Sequence, residues 1–277
     1  MNKEQPFKIY KKPSIQNGSL IVAWSEDAGA LGISVIDHLI HKLGAEEFAE
    51  LDPSGFFSLH GVSVVNDVAR FPQCKLYCCE QKNLVLLFSN PPQSNWYKFL
   101  NAILTIAEND CQVRTIYTIG GMISLAAHTQ SSKLLATANS AELKNTLQQY
   151  GLTRTMDYET PQGQRPTLSS YLMWLAQRRG IAAATLWAPI SFYLVNIEDP
   201  RACRKAIEFF DRILGLAVNT TDITNKIAVQ DQKIAEIKQQ LPEIAESIQK
   251  LEDNMGLDEE ESEHLIKRMS ELLRKTT

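Results

Sequence analysis

Gly120 and Gly121 follow the apolar run Val113-Arg114-Thr115-Ile116-Tyr117-Thr118-Ile119. A glycine pair where a strand ends lets backbone N–H groups approach a phosphate, or lets the chain turn sharply. Phosphate chemistry asks for more than glycine. It needs G-x-x-x-x-G-K-[S/T], or G-x-G-x-x-G opening a helix, and neither is present. Gly29-Ala30-Leu31-Gly32 keeps only part of such a spacing, and helix entry with close packing on a sheet accounts for it. There is no G-x-S-x-G elbow to present a nucleophilic serine. His38 and His41 stand on one side of a predicted helix, but no third ligand completes a metal set, and the apolar stripe points the other way. Cys74-x-x-x-Cys78-Cys79 lacks zinc spacing and reads as buried thiols. Asp27, Asp37, Asp157, Glu159, Glu198 and Asp199 are candidate acids to which spacing gives no role, so no catalytic residue, metal or cofactor is assigned. One constellation remains. Asp27, Gly29, Asn90, Gly120 and Gly121 fall where predicted strands end. In a doubly wound sheet those ends, with Ala188-Pro189, share a ligand-binding rim.

The elements that would position this rim follow from periodicity. Ser19–Trp24 reads as a buried strand, and a helix from Gly29 to Leu43 carries Val35, Ile36, Leu39, Ile40 and Leu43 before the Gly44 stop. Around Phe56-Phe57-Ser58-Leu59 the β pattern is weaker. Lys75–Cys79 and Leu84–Phe88 flank a short polar turn as a hairpin. A helix over Trp96–Asn109 leads to the strand that enters Gly120-Gly121. Further on, the pattern predicts a strand over Lys133–Ala138, a helix capped by Ser140 and closed at Tyr150-Gly151, and a polar loop over 153–166. A helix over Tyr171–Arg179 stopping at Gly180, a strand over Ile181–Trp187 and a helix opened by Asp199-Pro200 complete it. Strands alternating with helices predict an α/β fold with a largely parallel, three-layer α/β/α core over residues 1–222.

Beyond residue 222 the pattern changes. Ile223, Ile227, Ile234, Ile237, Leu241, Ile244, Ile248, Leu251 and Met255 recur at steps of three and four, a heptad seam with Gln230 in one slot. Pro242 should kink or restart the helix. Asn254-Met255-Gly256 is a stop, and Asp258-x-x-Glu261 opens a second helix bearing Leu265, Ile266, Met269, Leu272 and Leu273. A helical hairpin or coiled coil over 223–277 follows. Its seam, from Ile227 to Leu251, is buried either within the chain or against a partner subunit, with Gln230 then setting register.

Bulk composition bounds the function class. The 277 residues are 44% hydrophobic, enough for a real core. A net charge of −4 gives no basic face for nucleic acid. No run reaches the length of a membrane span, and Met1–Pro6 lacks a signal-peptide stretch. Five cysteines, an odd number without a secretory signal, suit reduced thiols and a cytoplasmic location.

An ordered set of short motifs carries a resemblance. Asp27-Ala28-Gly29-x-x-Gly32, Asp37-x-Leu39-Ile40 and Leu51-Asp52-Pro53 come first; Gly120-Gly121-Met122, Gly180-Ile181 and Tyr193 follow; Asp199-Pro200-Arg201-Ala202 and Leu214-Gly215-Leu216 close it. The chain resembles the proteasome assembly chaperone 2 family over roughly residues 17–225. The resemblance implies a phosphorylase/hydrolase-like α/β/α core with helical C-terminal additions. It implies a non-enzymatic, homo-oligomeric, assembly-chaperone-like protein that binds itself and another protein. The alternative is a small-molecule or nucleotide-dependent enzyme, an ATP-grasp-like ligase or hydrolase, working at the strand-end loops. Two departures stand out. Pro166–Tyr171 lacks the glycine common in the family before this helix, and the chain ends Arg274-Lys275-Thr276-Thr277 rather than in the hydrophobic–Tyr–any tail of proteasome-docking archaeal relatives. Docking through the C-terminus is therefore not expected.

Overall fold

A computed structural model describes residues 6–52, 55–57, 62–65, 67–130, 132–152 and 159–274, and among these described residues there are ten strands and eight α-helices. The expectations touching Pro53, Ser58, Leu59, Asp157, part of the 153–166 loop and the last three residues lie outside them. In order come β1 (Phe7–Ile9), β2 (Gly18–Trp24), α1 (Leu31–Leu43), β3 (Glu46–Leu51), β4 (Ser63–Val65), β5 (Val68–Arg70), β6 (Cys74–Cys79) and β7 (Leu84–Ser89). Then follow α2 (Trp96–Asn109), β8 (Val113–Ser124), β9 (Leu135–Ala138), α3 (Ala141–Gln149), α4 (Leu168–Arg178), β10 (Ala182–Ser191) and α5 (Pro200–Leu214). The chain closes with α6 (Thr221–Gln240), α7 (Pro242–Glu252) and α8 (Glu259–Arg274).

Eight strands form one sheet in the order β1-β3-β6-β7-β2-β8-β10-β9, and β4-β5 form a separate hairpin. β2 lies parallel to both β7 and β8, Trp24 pairing with Ser89 and Ala23 with Ile119. Leu20, Val22, Val85, Leu87 and Ile116 face α2 and α4 in one apolar cluster. The alternate residues Ile21, Ala23, Leu84 and Leu86 are just as deeply buried. Side chains alternate across a strand, so a strand buried at every position is covered on both faces. The result is the three-layer α/β/α fold. The sheet is mixed, however, and not largely parallel: β1-β3, β3-β6 and β6-β7 are antiparallel. A short connection decides the β6–β7 pair. A tight turn at Glu80–Lys82 joins β6 to β7, and neighbouring strands joined that closely run antiparallel.

Cα packing divides the chain into two compact units. The first comprises Met1–Glu26, Ile36–Ile119 and Ala136–Leu186, and the second Asp27–Val35, Gly120–Leu135 and Trp187–Thr277. In the first, Phe99 of α2 collects Phe56, Phe57 and Trp24 around its ring. The second is centred on α5, whose Ala206, Ile207, Phe209 and Phe210 are fully buried, and includes the three C-terminal helices. Helix ends follow local chemistry. The Ser140 side chain accepts from Leu143 N–H and the Asp199 side chain from Ala202 N–H, and Gly44 and Gly215 take the left-handed conformation as stops. Among the described residues no helix is long and apolar enough to cross a membrane.

Candidate functional site

The Gly120–Gly121 pair does not end its strand. β8 runs on to Ser124, and neither glycine has a positive φ, so the expected sharp turn is absent. What Gly121 supplies is space. A Cβ there would stand 2.0 Å from the Ala28 carbonyl oxygen, whereas one on Gly120 would meet nothing nearer than the Asp27 carboxylate at 3.7 Å. The segment that closes on Gly121 is the turn Ala28–Ala30, where Gly29 has a φ of 69°. Asp27 Oδ2 accepts from both Gly121 N–H and Gly32 N–H, each at 2.9 Å, and so ties the turn to the strand and to the start of α1. Gly29 N–H donates to the Val195 carbonyl and Gly29 O accepts from Asp199 N–H. Burial pushes the Asp27 carboxyl up, against the two N–H bonds that pull it down. Its Oδ1 is buried without a hydrogen-bond partner among the described residues.

Asn90 follows β7, at the same end of the sheet as the loop leaving β2. Its backbone N–H donates to the Gln73 carbonyl, its Oδ1 accepts from Gln73 N–H, and its Nδ2 donates to Ser25 Oγ at 2.9 Å. Every polar group of this side chain stitches strand ends together. Pro189, placed by sequence at the end of a strand, lies inside β10 instead.

A polar cavity of about 70 Å³ lies within the second unit, lined by Ser124, His128, Ser132, Ser191, Arg201 and Lys205 among others. Arg201 and Lys205, four apart on α5, share one face of that helix. Lys205 Nζ donates to Ser132 Oγ at 3.0 Å. Arg201 pairs through its Nη2 with Asp231 of α6, and its Nε is buried without a partner among the described residues. His128 and Tyr193 form a closed couple: the Tyr193 hydroxyl accepts from His128 N–H at 2.9 Å and lies 2.6 Å from His128 Nδ1. Burial, and then the Arg201 charge, lower the His128 imidazole to about 4, so the ring is neutral near pH 7. Burial raises the Tyr193 phenol to about 12. It lowers Lys205 and raises Asp199, whose carboxylate accepts from Ala202 N–H at 3.0 Å.

The C-terminal seam is covered by the chain itself. Ile227, Ile234, Ile237, Ile244, Ile248 and Leu251 are buried, and Leu241 is half-buried at the Pro242 break between α6 and α7. α8 returns against α6, α7 and the Phe192–Leu194 turn, burying Leu265, Met269 and Leu273. Asp258 and Glu261 form a reciprocal capping box, Asp258 N–H to Glu261 Oε2 and Glu261 N–H to Asp258 Oδ1. Gln230, the polar seam position, donates to the Glu198 carbonyl at 2.8 Å, within its own subunit.

The PAC2 family model matches residues 20–238. The chain belongs to the PAC2 family. No curated protein matches it. Solved structures similar to this PAC2 chain include a Mycobacterium tuberculosis protein of unknown function, with a TM-score of 0.77 and 19% identity over 92% of this chain and 90% of that one. A proteasome-assembly chaperone homologue from the same organism has a TM-score of 0.66 and 21% identity over 79% and 94%. Pyrococcus furiosus PbaB, an archaeal proteasome activator, has a TM-score of 0.65 and 20% identity over 84% and 98%. At such identities the likeness is one of fold.

Of the residues singled out from the sequence of this PAC2 chain, Asp27, Gly29 and Gly121 come together in one turn, with Gly120 beside the Asp27 carboxylate. Asn90 serves the β6–β7 end. Sequence reasoning missed the cavity. His128 and Ser132 lie far from Arg201 and Lys205 along the chain, and only the four-residue step within α5 was a readable signal. Among the described residues no three His, Cys, Asp or Glu side chains cluster to hold a metal ion.

Proposed function

We propose that this chain is a non-enzymatic, homo-oligomeric interaction protein of the assembly-chaperone type, acting on a protein partner in the cytoplasm. Membership of the PAC2 family carries the reading. Support comes from the fold it shares with proteins described as an archaeal proteasome activator and a proteasome-assembly chaperone homologue. The surface adds a physical argument. Ile123 is 58% exposed and Leu125 78% exposed, two positions apart where β8 ends. Apolar side chains left in water beside one another are ready material for an interface. The seam side chains from Ile227 to Leu251 meet their own chain, so association by the C-terminal helices would use their outer faces, where Val229 is exposed.

Light scattering on the full chain across the micromolar range tests this reading. A mass at an integer multiple of 31.2 kDa is expected. The Ile123→Glu/Leu125→Glu variant should lower it, while keeping the wild-type circular dichroism. A wild-type monomer at every concentration would overturn self-association.

A further inference from the structure

The cavity over α5 is organised for something the chain itself does not provide. Its two cationic side chains, Arg201 and Lys205, come from one helix face, where like charges four apart repel. Asp231 answers part of the Arg201 charge through Nη2, and Nε is left buried with no acceptor among the described residues. Lys205 offers three N–H protons, and the described bond to Ser132 Oγ uses one. The Asp199 carboxylate, also on the wall, is turned to the backbone N–H of Ala202, where it caps α5. The free N-terminus of the helix is thus not what faces a ligand. The unmet capacity lies in the side chains, and it is donor capacity. A buried donor without an acceptor is costly, and charge-assisted bonds to an oxyanion are among the strongest means of meeting it. Space agrees with chemistry. One water needs about 10–15 Å³, so a cavity of about 70 Å³ has room for a small ion but not for a nucleotide.

We propose that this cavity is a binding site for a small oxyanion, a phosphate-, sulfate- or carboxylate-sized group, held by Arg201 Nε and Lys205 Nζ with Ser132 beside them. The site is separate from the Asp27–Gly121 turn and does not rest on the oligomeric state. Neutralising the cation pair would lock the start of α5 to the 124–132 segment, so occupancy should also stabilise the second unit.

Isothermal titration of the full chain with inorganic phosphate, sulfate and acetate, at constant ionic strength set with sodium chloride, tests the proposal. Saturable binding of at least one is expected, with a matching rise in Tm. Phosphate or sulfate without acetate would identify a tetrahedral oxyanion, and acetate alone a carboxylate; either supports the site. Lys205→Gln should weaken binding at least tenfold, and Lys205→Arg should restore much of it. Lys226→Gln, a cation outside the cavity that pairs with Glu198, should leave affinity unchanged. Arg201→Gln should also weaken binding, but it breaks the Asp231 pair, so Lys205→Gln carries the decision. No saturable binding of any of the three ions would overturn the proposal. So would binding that Lys205→Gln leaves intact.

Discussion

Adding one methyl group to Gly121 or to Gly120 should have very unequal consequences, although the two are neighbours in one strand. At Gly121 the new carbon would fall 2.0 Å from a backbone oxygen, which no side-chain rotation relieves. Gly121→Ala must therefore push the Ala28 turn off the strand and break the Asp27 bond, a loss of about 1–3 kcal/mol or more. Gly120→Ala meets only ordinary contacts and should change stability by less than about 1 kcal/mol. Urea denaturation of both variants reads the difference, and equal losses would refute the close-approach argument. His128 gives a second prediction at this scale. Its ring is lowered from the ordinary 6.5 to about 4, so below pH 6.5 the unfolded chain takes up a proton that the folded chain refuses. Stability from this group is complete above pH 6.5 and is lost as pH falls toward 4, by about 3 kcal/mol at most. His128→Gln should flatten the stability curve between pH 7 and 4.5. Asp27 and Asp199, whose carboxyls burial raises, slope the other way: each disfavours the fold as pH rises through its folded-state titration.

Among the elements, the C-terminal helices show how a pattern underdetermines its partner. A heptad seam states that an apolar stripe must be buried, not against what. Pro242 breaks the helix and the Asp258–Glu261 box starts α8, so the stripe folds onto its own neighbours. Ile248 is fully buried there, and Ile248→Ala should cost about 2–5 kcal/mol, measured by chemical denaturation. Most element boundaries were legible in sequence because their signals are local. Examples are the Ser140 cap, the Asp199-Pro200 start, the Gly44 and Gly215 stops, and the hairpin around the polar turn at Glu80–Lys82. Strand direction was less so. The β3–β6 and β1–β3 pairs turned out antiparallel, and no local signal records which strands lie side by side.

For the whole molecule, residues 223–277 belong to the second compact unit together with Trp187–Asp222 and two distant segments. Removing them would uncover the face of α5 against which α6 packs. A chain ending at residue 222 should lose the cooperative unfolding transition of that unit or aggregate. A soluble truncated protein with the wild-type Tm would show that the helices are an appendage.

The α/β/α class, the helix caps and stops, the broken heptad seam and the family can all be read along the chain. All of these are written in periodicity, in turn chemistry or in short ordered motifs, which act over a few residues. The rest depends on contacts between distant segments. Gly121 is a point of close approach because residue 28 arrives there from 93 positions away. The seam residues are buried because α5, α7 and α8 all pack along α6 or its continuation. The cavity joins His128 and Ser132 to Arg201 and Lys205 because a side chain's environment is set by whichever segments the sheet brings alongside, and no local pattern records that.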